Sequence, residues 1–150
     1  MRYKASDEHI VATLKEFMQN ERSWRTLGDE HRDREVWVAK MFSGCGLSEA
    51  QLRAAAMALV EYYDVHAPVD GIFELLEDLD ARGVKQAIVS NWPPSLPQFL
   101  EHHGFADRFA CVCYSAEDGI HKADERIFRR AMKTLCVAPT ETIMIGDNLE

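Results

Sequence analysis

The sequence predicts an α/β protein in which a wholly helical lobe, residues 1–66, precedes a partial parallel-sheet core, residues 67–150. From Ser6 to about Tyr63 the apolar residues recur at helical spacing. After Pro68 short apolar runs alternate with helical stripes, and the loops that follow the runs collect polar residues.

Taken in order, Ile10, Val11, Leu14, Phe17 and Met18 fall on one helical face. A second helix is expected over Arg34–Phe42, ended by Ser43-Gly44-Cys45-Gly46, whose glycines accept positive backbone angles. Ser48 and Gln51 form an S-x-x-Q capping box, and Leu52, Ala55, Ala56, Leu59, Val60 and Tyr63 continue the stripe behind it. A boundary is expected between Asp64 and Pro68. Beyond it, Ile72, Leu75, Leu76 and Leu79 mark a helix that closes at Gly83. A strand at Val84–Val89, a helix over Pro94–His103, a strand at Phe109–Tyr114, a helix over Glu125–Leu135 and a strand at Thr142–Ile145 follow. Such alternation implies parallel strands joined by crossover helices.

Hydrophobic residues make up 47% and charged residues 28% of the chain, a balance that folds rather than remaining disordered. The net charge of −8 argues against nucleic acid or an anionic membrane surface as partner and leaves a small molecule as the expectation. No long apolar run follows the basic residues of MRYKASDEHIV, so neither a signal peptide nor a membrane span is expected. Cys45, Cys111, Cys113 and Cys136 form no C-x-x-C pair, which suits a reducing cytoplasm. Cys111 and Cys113 are two apart on an expected strand and should share one face as packing residues.

Parallel sheets bind ligands beyond the carboxyl ends of their strands. There the sequence places Ser90-Asn91, then Lys122, then Gly146-Asp147-Asn148. Hydroxyl and ammonium groups suit a phosphoryl group, whose oxygens accept hydrogen bonds and whose charge needs neutralising. A carboxylate beside them suits magnesium, which takes one or two carboxylates together with water and phosphate. Each residue also has a plain reading. Ser90-Asn91 fits a turn, Lys122 a solvated loop, and Asp147 turn chemistry after a glycine. His102, His103 and His121 read as surface or helix-end residues.

The segments AIVSNW, HKADERIF and TIMIGDNLE resemble the second, third and fourth active-site segments of the haloacid dehalogenase (HAD) superfamily, over about Pro68 to Glu150. The resemblance implies a Rossmann-like core, with the helical half similar to the inserted cap of capped members. It implies that Ser90 bonds phosphoryl oxygens, that Asn91 shapes the same loop, that Lys122 neutralises charge and that Asp147 holds Mg²⁺. The third segment reads Lys122-Ala123-Asp124 where the family usually has Lys-Pro-Asp. The family's nucleophile segment, an Asp-x-Asp after a central strand, has no counterpart before the helical half, where Asp7 and Glu8 follow no apolar run. That strand would lie between Val84–Val89 and Thr142–Ile145. The expectation is therefore a fragment of a Mg²⁺-dependent phosphatase. The whole enzyme would hydrolyse a small phosphorylated metabolite through an aspartyl-phosphate. The chain alone is expected to be inactive. A noncatalytic binding or protein-interaction module and, within the family, a dehalogenase are the alternatives. Oligomeric state is not legible.

Overall fold

The computed structural model describes residues 12–13, 15–17, 19, 23–43, 45–60 and 66–146. Ile10, Val11, Leu14 and Met18 of the first expected stripe lie outside these, as do Tyr63 and the first two residues of the expected boundary, Asp64 and Val65; the described residues between 12 and 19 are helical. Phe17 packs its ring against Trp24 and Trp37, at centroid distances of 5.3 and 4.8 Å.

Helix α1 spans Leu27–Met41 and starts well before the expected Arg34. Its start is set by a capping box that hydrophobic periodicity does not report. Thr26 Oγ1 accepts from the Asp29 amide at 3.1 Å, and Asp29 Oδ2 accepts from the Thr26 amide at 3.0 Å. Helix α2, Glu49–Val60, starts at the expected box, with Ser48 N–H donating to Gln51 Oε1 at 2.9 Å and Gln51 N–H to Ser48 Oγ at 3.3 Å. The two helices pack on each other, with Val38 of α1 and Ala56 of α2 buried.

The second half is built from α3 (Ile72–Ala81), β1 (Ala87–Ser90), α4 (Leu96–His102), β2 (Cys111–Tyr114), the single turn α5 (Ser115–Asp118), α6 (Glu125–Leu135) and a 3₁₀ turn at Pro139–Glu141. Helices α3, α4 and α6 end alike. In each, a left-handed residue closes the helix and the next amide reaches back to the last turn: Val84 to Leu79 O at 2.9 Å, Phe105 to Leu100 O at 2.7 Å and Val137 to Met132 O at 3.1 Å. Gly83 and Gly104 fill the left-handed position in the first two; in α6 it is Cys136, at φ 55°.

Strands β1 and β2 run parallel in the register Ala87↔Cys111 to Ser90↔Tyr114. Both are shorter than the apolar runs that announce them, although Ala110 N–H still donates to Gln86 O at 2.9 Å below the ladder. Helix α6 lies across them. Ile127, Ala131 and Leu135, four residues apart along one face, are buried, the first two with Cys113 and against Val89, Cys111, Ile120 and Phe128. As expected, Cys111 and Cys113 point to one side, their sulfurs 3.5 Å apart.

The expected strand at Thr142–Ile145 does not form. Thr142 has extended angles, φ −117° and ψ 145°, but among the described residues the sheet has two strands, and Ile143 and Ile145 are 89% and 85% exposed. A strand exists only where a neighbour supplies the other half of the hydrogen-bond ladder, and no described segment lies alongside this one. Among the described residues no helix is long and apolar enough to cross a membrane.

Candidate functional site

Ser90 is the last residue of β1 and is half-buried. The chain leaves the sheet there and runs through Asn91, Trp92, Pro93 and Pro94 to Ser95, just before α4. Hydrogen bonds tie this loop to the segment that follows β2. Trp92 N–H donates to Ser115 Oγ at 3.1 Å, and Ala116 N–H donates to Trp92 O at 3.3 Å. Asn91 Oδ1 accepts from the Lys122 amide at 2.6 Å, across thirty-one positions of sequence.

Local chemistry brings Lys122 to that point. After α5 the chain turns at Gly119, whose φ of 66° is the left-handed value that glycine adopts without strain. It turns again where the Asp124 amide donates to His121 O at 2.8 Å. Asp124 then caps α6, accepting from the Arg126 amide at 3.0 Å and from its guanidinium at 2.6 Å, bonds that hold the carboxyl down at about 2. Alanine at position 123 thus coexists with a fixed helix start two residues after Lys122.

The segment that follows the 3₁₀ turn approaches the same place. Lys122 Nζ stands 3.8 Å from where a Cβ on Gly146 would lie, which is ordinary contact distance, so a side chain there would touch the ammonium without clashing. Asn91, Lys122 and Gly146 therefore meet at one end of the sheet, with Ser90 adjoining Asn91. Asp147, the residue the sequence nominates for metal binding, and Asn148 lie outside the described residues. Among the described residues no three His, Cys, Asp or Glu side chains cluster to hold a metal ion. His102 ends α4 and His103 caps it, their rings 4.8 Å apart.

One Asp-x-Asp does occur, at Asp78-Leu79-Asp80, but it lies within α3. Asp78 pairs with Arg82 at 2.8 Å and Asp80 accepts from Gln86 Nε2 at 2.6 Å. Neither carboxylate stands at a strand end. A concavity of about 620 Å³ lies on the helical half, between Ala12, Thr13, Glu16 and Val36, Ala39, Lys40, and shares no residue with the meeting of the three loops.

Sequence reasoning missed Ser115, Ser95 and Glu30. Ser95 N–H and Oγ both donate to the buried Glu30 carboxylate of α1, each at 3.0 Å. Ser95 had a local signal, as a hydroxyl residue directly before a helix; Glu30 had none, because its partner is sixty-five positions away.

A family model described as haloacid dehalogenase-like hydrolase matches residues 4–150. The chain is 40% identical over 74 residues to a phosphoserine phosphatase of Thermus thermophilus, covering 49% of this chain and 30% of that one. It is 31% identical over 123 residues to haloacid dehalogenase-like hydrolase domain-containing protein 3 of Mus musculus, covering 77% and 49%. To the sesquiterpene phosphatase astK of Aspergillus oryzae it is 32% identical over 77 residues, covering 51% and 39%. The chain thus spans about half or less of the length of these relatives.

Proposed function

Because the chain belongs to the haloacid dehalogenase-like hydrolases, we propose that it carries the phosphate-binding and metal-binding loops of a Mg²⁺-dependent phosphatase acting on a small phosphorylated metabolite. The observation that carries this reading is the junction of three loops: Asn91 bonded to the Lys122 amide, and the Lys122 ammonium against Gly146. In it Ser90 and Asn91 offer hydrogen bonds to phosphoryl oxygens, and Lys122 balances their charge. Asp147, one residue beyond Gly146, is the ligand assigned to Mg²⁺, which when bound would neutralise phosphoryl charge. Two of the relatives are named as phosphatases, one for phosphoserine and one for a sesquiterpene phosphate, so the phosphoryl group rather than one carbon skeleton is the shared feature. A cation beside a hydroxyl-bearing loop serves a phosphate better than a carbon–halogen bond, which sets dehalogenation second.

Residues 1–66 are assigned as the helical cap and 67–150 as the core. The attacking group is assigned to an aspartate on a further strand laid between β1 and residues 142–145, forming an aspartyl-phosphate that water then hydrolyses. Such a strand would pair both the open edge of β1 and the apolar segment at Thr142–Ile145. Among the described residues no aspartate stands at the end of a strand, so this chain alone should lack turnover.

A panel of phosphate esters with Mg²⁺ tests the assignment. The 150-residue chain should stay at background, while a version joined to an apolar strand ending in Asp-x-Asp should turn over. That version should lose about 100-fold or more on Lys122→Ala and should also fail on Asp147→Ala. Turnover by the 150-residue chain that survives both substitutions overturns the mechanism. Phosphate binding without turnover in the extended version favours a noncatalytic module.

A further inference from the structure

We propose that Glu30, on the helical half, is a positioning residue for the loop that bears Ser90 and Asn91; this rests on the phosphate-site reading above. Glu30 is fully buried on α1. Its Oε1 accepts from Arg34 Nε at 3.1 Å and Nη2 at 2.8 Å, one helical turn along, and from Ser95 Oγ at 3.0 Å. Its Oε2 accepts from the Ser95 amide at 3.0 Å. Arg34 in turn lies against two rings, its guanidinium carbon 5.6 Å from the centroids of both Phe17 and Trp24. The carboxylate therefore sits in a fixed frame made by the helical half, and Ser95, 1% exposed, is fastened to it.

Ser95 is the far end of the loop that begins at Ser90. Between them, Pro93 and Pro94 are buried and have φ locked by their rings, so a displacement of Ser95 is passed along rather than absorbed. At the near end the same loop is clasped by Ser115 and by the Lys122 amide. A carboxylate buried with its partners is costly to strip of any one of them. The helical half thus cannot move away from the core with its pairing intact unless Ser95 follows, and Asn91 with it. Glu30 touches no reacting group; it acts through Ser95 on where Asn91 stands.

The test uses the 150-residue chain, amide NMR and titration with inorganic phosphate in the presence of Mg²⁺. Ser95→Ala removes one donor and keeps the backbone amide, Glu30→Gln keeps the shape and removes the charge, and Glu49→Gln breaks an exposed ion pair of the helical half as control. Without ligand, the first two should shift the Asn91 and Lys122 amides while helix content is kept, and the control should not. Phosphate should then bind about 3- to 10-fold more weakly to both variants than to wild type. If Glu30→Gln fails to fold, Ser95→Ala decides alone. Wild-type chain that shows no phosphate-dependent shift at Asn91 or Lys122 refutes the phosphate reading, while the ligand-free shifts still judge the positioning. Folded variants whose Asn91 and Lys122 amides match wild type, or a control that moves them equally, overturn it.

Discussion

Asn91→Ala removes the acceptor that joins the loop after β1 to the loop after β2. The bond it deletes is short, 2.6 Å from the Lys122 amide, but Asn91 is exposed and water can replace the acceptor. A net hydrogen bond contributes about 0.5–1.5 kcal/mol, and exposure favours a value of about 1. That corresponds to roughly a fivefold rise in the population in which Lys122 has left its partner. Amide hydrogen exchange reads this directly. Lys122 N–H should exchange about fivefold faster in the variant, while the amide of the buried Ile127, at the start of α6, keeps its rate. Asn91→Asp separates geometry from electrostatics, since a carboxylate still accepts from the Lys122 amide but places negative charge where a phosphoryl group would come. Protection at Lys122 should persist and inorganic phosphate should no longer bind. Wild-type exchange at Lys122 in Asn91→Ala, or undiminished phosphate binding by Asn91→Asp, would refute the argument that this side chain is both clip and phosphate contact.

Cys136→Gly should stabilise the fold by about 0.5–1 kcal/mol, read as a higher denaturation midpoint, because a left-handed L-residue costs about 1–2 kcal/mol and glycine's extra freedom when unfolded returns about 0.5–1; Gly83 and Gly104 already hold the equivalent positions. Bonds from the Thr26 hydroxyl first, then the Arg25 and Thr26 amides, lower the Asp29 carboxyl from 3.8 to about 2. A carboxyl depressed in the folded state contributes stability that is complete above its unfolded value and is lost as pH falls through the folded one. Acid titration of helix content should therefore show Asp29→Asn less stable than wild type near neutrality, with the difference shrinking between 3.8 and about 2; a constant difference across that window would count against the capping role.

Where an element is specified by its own residues, the sequence discloses it. The limits of α6 match the expected Glu125–Leu135, because one apolar face, an aspartate cap and a left-handed terminator all lie between Asp124 and Cys136. The Ser48–Gln51 box and the Gly83 terminator are equally local. The start of α1 was missed because Thr26 and Asp29 form a box as good as S-x-x-Q, yet no clear apolar stripe follows to draw attention to it. For the site, strand-end placement put the loops of Ser90-Asn91 and Lys122 at one end of the sheet, but not the bond from the Lys122 amide to Asn91 Oδ1 that joins them. It did not reveal that a carboxylate of the helical half fastens the far end of the same loop, since no pattern marks a contact between Glu30 and Ser95.

The segment at Thr142–Ile145 separates pattern from pairing. Its apolar residues and the extended angles of Thr142 are those of a strand. Pairing is a property of two segments, and periodicity in one carries no information about whether the other is beside it. What holds this stretch is instead its start: the Thr142 hydroxyl bonds Ala138 O at 3.1 Å and Pro139 O at 3.0 Å, continuing the 3₁₀ turn. From that anchor the chain reaches Gly146 beside Lys122 with Ile143 and Ile145 turned to solvent. Exposed consecutive apolar residues, like the open edge of a sheet that has two strands among the described residues, are what strand addition requires. The loop that should carry the metal ligand is thus positioned at one end by local bonds, and its other constraint is the ladder that a strand alongside would supply.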